Sequence, residues 1–101
     1  MDYSLRSEGN RLEVLMQGRF TFQDNEKLRQ LLADIQGKRA PAIGIDMSGL
    51  EYIDSAGLGM LLLIRDAAEE AKASAIFHGA QGQAKKILGM CRFEDILTVR
   101  D

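Results

Sequence analysis

The chain has 101 residues, of which 46% are hydrophobic and 28% charged, and its formal net charge at pH 7 is −2. This composition predicts one folded globular domain over residues 1–101 and provides no basic field for nucleic acid. No apolar run reaches the roughly 20 residues that a membrane span needs. The polar start lacks the apolar region of a signal peptide and the single cysteine cannot form an internal disulfide, so we expect a cytoplasmic protein.

The chain begins with a predicted β-hairpin. Strands are expected at Tyr3–Arg6 and Arg11–Met16, because the turn-forming run SEGN separates two stretches of nearly alternating polarity. Phe20 and Phe22 follow the second strand, and both are expected to be buried anchors.

An amphipathic helix is predicted next, over Asp24–Gln36. Its apolar residues recur at i, i+3, i+4 and i+7, which is one stripe of a helix: Leu28, Leu31, Leu32 and Ile35. Either Thr21 paired with Asp24 or Asp24 alone is expected to cap its start, and Gly37 is expected to end it.

The middle of the chain predicts a buried strand that leads into a second helix. The strand is placed at Ala42–Met47, and its helical flanks favour a central position with parallel pairing. A polar loop is expected at Ser48–Asp54. A helix capped by Asp54 or Ser55 then runs to about Lys72.

The apolar residues of this second helix exceed what one face requires. On a helical wheel the core stripe contains Gly57, Met60, Leu61, Ile64, Ala67, Ala68 and Ala71. Leu58 and Leu62 fall outside that stripe. Either a neighbouring element covers them, or they belong to a partner-binding patch beside Ser55.

The last third of the chain predicts a strand, a loop and a short helix. The strand is expected at Ser74–His78 and the loop at Gly79–Gln83. A further helical stripe consists of Ala84, Ile87, Leu88 and Cys91, which places the cysteine in the core. Leu97–Val99 is expected to be an edge strand or the start of another short helix.

Ser55 lies where the predicted strand hands over to the second helix. Serine is a favoured helix N-cap, so a purely structural role stays open. Three features favour a phosphorylation site: the exposed junction, the small Gly57 and Gly59 beside it, and the positive helix end that accommodates an anion. Asp54 and Asp46, expected nearby, oppose the phosphate, so its main effect would be on surface potential.

The sequence does not support catalysis or a cofactor. A hydrolase elbow requires glycine two residues before the serine, and that residue is Ile53. His78 is the only candidate base. His78 and Cys91 match no metal-ligand spacing, and the glycines form neither a phosphate-binding loop nor a dinucleotide fingerprint. We therefore expect neither an enzyme nor a resident metal or cofactor.

Two runs of the chain resemble a known signature. IDMSGL at residues 45–50 and YIDSAGLG at residues 52–59 are similar to the signature of STAS domains, and among them to bacterial anti-sigma factor antagonists. The resemblance extends over nearly the whole chain. It implies an α/β fold in which helices flank a small mixed sheet of about four to five strands.

The resemblance also implies a mechanism. An unphosphorylated antagonist binds an anti-sigma factor, often a serine kinase that carries its own ATP and Mg²⁺, and this binding releases the sigma factor. Phosphorylation of Ser55 would end the binding, and a phosphatase would restore it. Ala56 stands where many relatives carry a second serine, which leaves Ser55 as the acceptor.

Residues expected to contact the partner lie in or near the signature. They are Asp46, Asp54, Ala56, Gly57, Leu58, Gly59, Met60 and Leu62. STAS modules also serve in transport and other signalling assemblies, so a constitutive subunit with Ser55 only as a helix cap stays open. The chain is expected to be a monomer or a weak homodimer.

Overall fold

The computed structural model describes residues 1–95 and 98–100, which form a five-stranded sheet and three α-helices. The strands are β1 (Asp2–Glu8), β2 (Arg11–Phe20), β3 (Ala42–Ile53), β4 (Ser74–His78) and β5 (Val99–Arg100). The helices are α1 (Asn25–Lys38), α2 (Ser55–Glu70) and α3 (Gly82–Met90), with 3₁₀ turns at Phe22–Asp24 and Phe93–Asp95.

The sheet is mixed, and its strands lie side by side in chain order. β1 and β2 form an antiparallel hairpin, whereas β2–β3, β3–β4 and β4–β5 are parallel pairs. This arrangement confirms the predicted hairpin, the central position of the third strand and the α/β class. It also assigns Val99 to an edge strand, while Leu97 of the same prediction lies outside the described residues.

The core lies against one face of the sheet. The strands contribute Leu12, Val14, Met16, Ile43, Ile45, Met47 and Phe77, and helices α1 and α2 contribute Leu28, Leu31, Ile35, Leu61 and Ile64. Burying each such side chain stabilises the fold by about 1.5–3 kcal/mol. Side chains alternate across a strand, so the opposite face carries the polar pair Arg6 and Glu13 and, one step along the strands, the polar pair Asp46 and His78.

Strand β3 is longer than the sequence predicts. The expected loop at Ser48–Asp54 is wrong, because the strand runs on to Ile53. Two register shifts make this possible: Gly49 pairs with Gln17, and Ile53 pairs with Phe20. Each shift adds a residue to β3, which is how a β-bulge breaks the alternation on which the prediction relied.

The β2–α1 connection confirms one prediction and corrects two. Thr21 and Asp24 form the predicted capping box around the first 3₁₀ turn. Phe20 is fully buried, but Phe22 is 62% exposed, so its expected role as a buried anchor is wrong. Helix α1 does not stop at Gly37, because Arg39 takes the left-handed conformation at φ 54° that ends the helix.

The C-terminal helix is shorter than its apolar stripe. α3 ends at Met90, and Cys91 follows as an exposed residue, so its expected core position is wrong. Ala84 and Leu88 are buried as predicted, and Ile87 is half-buried. The stripe loses its last member because the helix ends before it.

Candidate protein-binding site around Ser55

The junction between β3 and α2 gives Asp54 and Ser55 different roles. Asp54 is extended, at φ −102° and ψ −178°, and is the N-cap of α2. Its Oδ1 accepts a hydrogen bond of 2.7 Å from the backbone N–H of Gly57. Ser55 is the first residue of the helix proper, so the structural interpretation of Ser55 as the cap is wrong.

The Ser55 hydroxyl has no structural role in the described part of the chain. The residue is exposed, and no group within residues 1–95 and 98–100 makes a hydrogen bond to its side chain. The backbone N–H groups of Ser55 and Ala56 also have no partner among these residues. Such free N–H groups at the positive end of a helix are where an anion is best accommodated.

The turn that follows β2 packs directly against this junction. The backbone N–H of Asp54 donates to the Phe20 carbonyl at 3.3 Å, and Asp54 Oδ2 accepts from the Phe22 N–H at 3.4 Å. A Cβ on Gly57 would lie 2.5 Å from the Phe20 oxygen, so only glycine permits this approach. The exposed Phe22 is therefore held beside the start of α2.

Helix α3 holds the other side of the junction through Gln83. Gln83 Oε1 accepts from the Ile53 N–H, and Gln83 Nε2 donates to the Ile53 carbonyl, both at 2.9 Å. One side-chain amide thus satisfies both backbone groups of the last residue of β3. Neither Gln83 nor Phe22 is identifiable from the sequence, because their partners lie 30 and 32 residues away.

The predicted contact residues divide by accessibility. Gly59 is exposed and Asp54, Ala56 and Leu62 are half-buried at or near the start of α2. Gly57, Leu58 and Met60 are buried, with Leu58 and Met60 only 7% and 5% exposed. Of the two alternatives for Leu58, the structure supports cover by neighbouring elements and not an exposed patch, because α2 packs against both the sheet and α1 and so buries an arc wider than one stripe.

Asp46 does not lie beside Ser55, contrary to the sequence expectation. It pairs with Leu15 of β2, whereas Ile53 pairs with Phe20. These positions are five residue steps apart along β2, about 16 Å at about 3.3 Å per residue. The expectation failed because it ended the strand at Met47.

The carboxylate of Asp46 has a local environment of its own. Burial raises its pKa, but the hydrogen bond from Ser48 and the nearby charges of His78 and Arg6 outweigh burial, so the pKa lies below its ordinary value. The bond from the Ser48 N–H to Asp46 Oδ1 measures 2.9 Å. Asp46 is therefore held as an anion on the polar face of the sheet.

An exposed row runs outward along α2 from Ser55. Gly59, Leu63 and Asp66 follow it at i+4, i+8 and i+11, which is one side of a helix. Leu63 is 48% exposed, so the apolar residue that the helix presents to solvent is Leu63 and not Leu58. We call Ser55, Gly59, Leu63 and the adjacent Phe22 the Ser55 surface.

This fold and signature place the chain in a family. The family described as "Mlab, STAS domain" matches residues 3–98. The chain belongs to the STAS domain family. It is 29% identical over 93 residues to a STAS-domain containing protein of Pseudomonas aeruginosa (strain UCBPP-PA14), covering 92% of this chain and 91% of that one.

Solved structures with the same fold belong to different kinds of protein. A putative anti-sigma factor antagonist of Thermotoga maritima matches with a TM-score of 0.85 at 13% identity, over 98% of this chain and 86% of that one. The phosphorylated form of SpoIIAA, a Bacillus cell fate determinant, matches with 0.69 at 15% identity, over 99% and 92%. A sulfate transporter family protein of Wolinella succinogenes matches with 0.74 at 18% identity, over 89% and 75%.

The described helices do not meet the requirements of a membrane span. None of those formed by residues 1–95 and 98–100 combines the length and the apolar character that a crossing needs.

Proposed function

We propose that this chain is a phosphorylation-switched protein-binding module that acts as an anti-sigma factor antagonist. Unphosphorylated on Ser55, it binds an anti-sigma factor of the serine-kinase type and so releases the sigma factor. Phosphorylation of Ser55 ends the binding, and a phosphatase restores it. ATP and Mg²⁺ belong to the kinase partner, and the antagonist acts in the cytoplasm as a single domain, either a monomer or a weak homodimer.

The observation that carries this proposal is the free, exposed hydroxyl of Ser55. Asp54 caps the helix, so Ser55 is not needed for the fold and its hydroxyl stands open to a kinase. An exposed serine whose hydroxyl makes no hydrogen bond within the described residues is accessible to a modifying enzyme. The solved phosphorylated form of SpoIIAA, which shares the fold, supports the same chemistry for a STAS domain.

The electrostatics of the junction support a switch that leaves the fold intact. A phosphate on Ser55 adds about −1.5 to −2 charges at the positive end of α2, where the free N–H groups of Ser55 and Ala56 favour an anion. The carboxylate of Asp54, which caps the same helix end, opposes it. The two effects act in opposite directions on stability, while the potential of the surface changes strongly.

The partner in this proposal covers the Ser55 surface. Phe22, which bonds the Asp54 cap, and Leu63, two turns further along α2, provide exposed apolar area. Gly59 leaves the helix bare, with open space where its Cβ would lie. A partner that buries Ser55 between such apolar contacts would have to desolvate the phosphate. Burying an unpaired charge is costly, so phosphorylation excludes the partner.

The likeness to a sulfate transporter family protein favours a second candidate function. In it the chain is a constitutive subunit of a transport or signalling assembly, and Ser55 is never modified. Asp54 caps α2, so Ser55 has no capping role in this candidate function either. It predicts no phosphoserine in cells and a partner without a kinase fold.

Phosphosite mapping of the protein from its own cells, with and without inactivation of the partner kinase, separates the two functions. The proposal expects a phosphopeptide that carries the modification on Ser55 and that disappears with the kinase. It also expects Ser55→Ala bait to capture a kinase-fold partner that Ser55→Asp bait does not. An unmodified Ser55 under all growth conditions, together with equal capture by both baits, would establish the constitutive candidate instead.

A further inference from the structure

A second cluster of functional groups lies on the polar face of the sheet, away from Ser55. Glu13 on β2, Asp46 on β3 and His78 on β4 each offer one ligand atom, and these atoms all lie within 4.8 Å of one another. Glu13 Oε1 and His78 Nε2 are 2.6 Å apart. Three adjacent parallel strands therefore bring two carboxylates and one imidazole together on one face of the sheet.

Two glycines make room for this arrangement. A Cβ on Gly44 would lie 2.2 Å from Glu13 Oε2, so the carboxylate crosses β3 only because Gly44 has no side chain. A Cβ on Gly79 would lie 2.9 Å from Asp46 Oδ1, and Gly79 has a φ of +80° that side chains rarely adopt. Glycine weakens a strand interior, so its presence at Gly44 favours a packing or ligand role.

Donors outside the trio hold one oxygen of each carboxylate. Arg11 Nε bonds Glu13 Oε2 at 3.1 Å, and the Ser48 N–H bonds Asp46 Oδ1 at 2.9 Å. Glu13 is only 7% exposed, so its carboxylate is fixed in place. Orientation of metal-ligating carboxylates by such outer hydrogen bonds is typical of metal sites.

We propose that Glu13, Asp46 and His78 form a Zn²⁺ site that joins the three central strands. Imidazole and carboxylate ligands suit Zn²⁺, and three protein ligands leave one position for water. In a tetrahedral site the ligand atoms lie about 3.4 Å apart at bonds of about 2.0–2.2 Å. Binding would therefore require the 2.6 Å contact between Glu13 and His78 to open, and the cation would replace the hydrogen bond between them.

The affinity is limited by the cations around the site. Arg11 pairs with Glu13, and the charge of Arg6 acts on Asp46. Their positive charge opposes the added cation, so we expect binding in the micromolar range and not the tighter binding of structural zinc sites. The spacing of His78 and Cys91 along the chain does not reveal this site. The site combines His78 with Glu13, which lies 65 residues away in the sequence.

Calorimetric titration of the untagged full chain with ZnCl₂ tests this proposal. The exposed Cys91 is first changed to serine, because a thiol also binds zinc. We expect one Zn²⁺ per chain in the Cys91→Ser protein and a melting temperature that rises with the zinc concentration. His78→Gln and Asp46→Asn are expected to weaken binding at least tenfold.

Glu51→Gln provides the matched control. It removes an exposed carboxylate from β3, the strand that also carries Asp46, but Glu51 is not one of the three proposed ligands. The Glu51→Gln variant is expected to bind Zn²⁺ as the Cys91→Ser parent does. Melting curves without zinc show which ligand variants are folded. If one of the two variants is unfolded, the other still tests the proposal. Absence of binding in the Cys91→Ser protein, or unchanged affinity in a folded His78→Gln or Asp46→Asn variant, would overturn the proposal.

Discussion

At the scale of single residues, Asp54 and Ser55 have different roles at the junction of β3 and α2. Asp54 stabilises the start of the helix, and Ser55 is exposed. Asp54 accepts hydrogen bonds from Gly57 and Phe22, whereas the described residues offer none to the Ser55 hydroxyl. Both residue types are favoured N-caps, so the sequence alone leaves the choice between them open. Only the backbone geometry at the end of β3 decides it.

Substitution at these two positions is expected to separate the roles. Asp54→Ala should lower the free energy of unfolding by about 1 kcal/mol, because it removes an N-cap hydrogen bond. Ser55→Ala should change it by less than about 0.5 kcal/mol. Urea denaturation of the two variants measures both values, and a Ser55→Ala protein destabilised as much as Asp54→Ala would contradict the assignment.

Tyr3 makes a pH-dependent contribution at the outer hairpin. Burial raises the pKa of Tyr3 to about 12, and its hydrogen bond of 2.9 Å to Asp34 Oδ2 acts in the same direction. Its ordinary value is 10.0, so between pH 10 and pH 12 the unfolded chain loses this proton while the folded chain keeps it. The folded state then binds more protons, and stability falls as the pH rises through this window.

Replacing the phenol tests this contribution. Tyr3→Phe is expected to show a smaller loss of stability between pH 9 and pH 11.5 than the parent, measured by urea unfolding at each pH. Tyr52→Phe serves as the control, because Tyr52 lies in a different environment, under the guanidinium of Arg19 at 4.4 Å. If both variants keep the full pH dependence of the parent, the Tyr3–Asp34 interaction does not cause it.

At the scale of elements, α3 braces the Ser55 surface although it contributes no residue to it. The Gln83 amide satisfies both backbone groups of Ile53, one residue before the cap of α2. Removing it would leave these buried groups without partners, at a cost of about 1–3 kcal/mol. Its position at the start of a short helix carries no sign of this role in the sequence.

Amide hydrogen exchange is expected to report the bracing directly. In Gln83→Ala the amide of Ile53 should exchange faster, because its hydrogen-bond acceptor is gone. Gln81→Ala is the matched control, since Gln81 bonds the carbonyl of Ser48 and leaves Ile53 untouched. Equal exchange of Ile53 in the parent and in Gln83→Ala would show that this side chain does not hold the strand.

The elements also show where sequence reasoning succeeds. The stripe of α1 follows a simple helical periodicity and is present as predicted, and the strand at Ser74–His78 has the predicted bounds. Strand β3 breaks its own alternation at two bulges, so its second half looks like a loop in the sequence. The error mattered for the site, because it placed Asp46 beside Ser55 when the two belong to different parts of the sheet.

At the scale of the whole molecule, the chain presents two separate candidate functional surfaces. The signature YIDSAGLG predicted the family correctly and marked Ser55 as a candidate, since a local motif is visible in a sequence. The exposed Phe22 beside Ser55 and the Glu13–His78 pair depend on contacts between distant segments, which no local pattern reveals. The sequence therefore predicts the order of elements and singles out Ser55 as a candidate site, but it does not predict the surfaces assembled around Ser55 and His78.

The central claim is that the charge on Ser55 decides docking without altering the fold. The direct measurement is the dissociation constant of the captured kinase-fold partner for Ser55→Asp and Ser55→Ala proteins, together with their melting temperatures. We predict that Ser55→Asp binds weaker by at least about tenfold, because the interface must desolvate its carboxylate. The melting temperatures should nearly coincide, since the positive end of α2 favours the added carboxylate while the Asp54 carboxylate opposes it. Equal dissociation constants for the two folded variants would contradict the account.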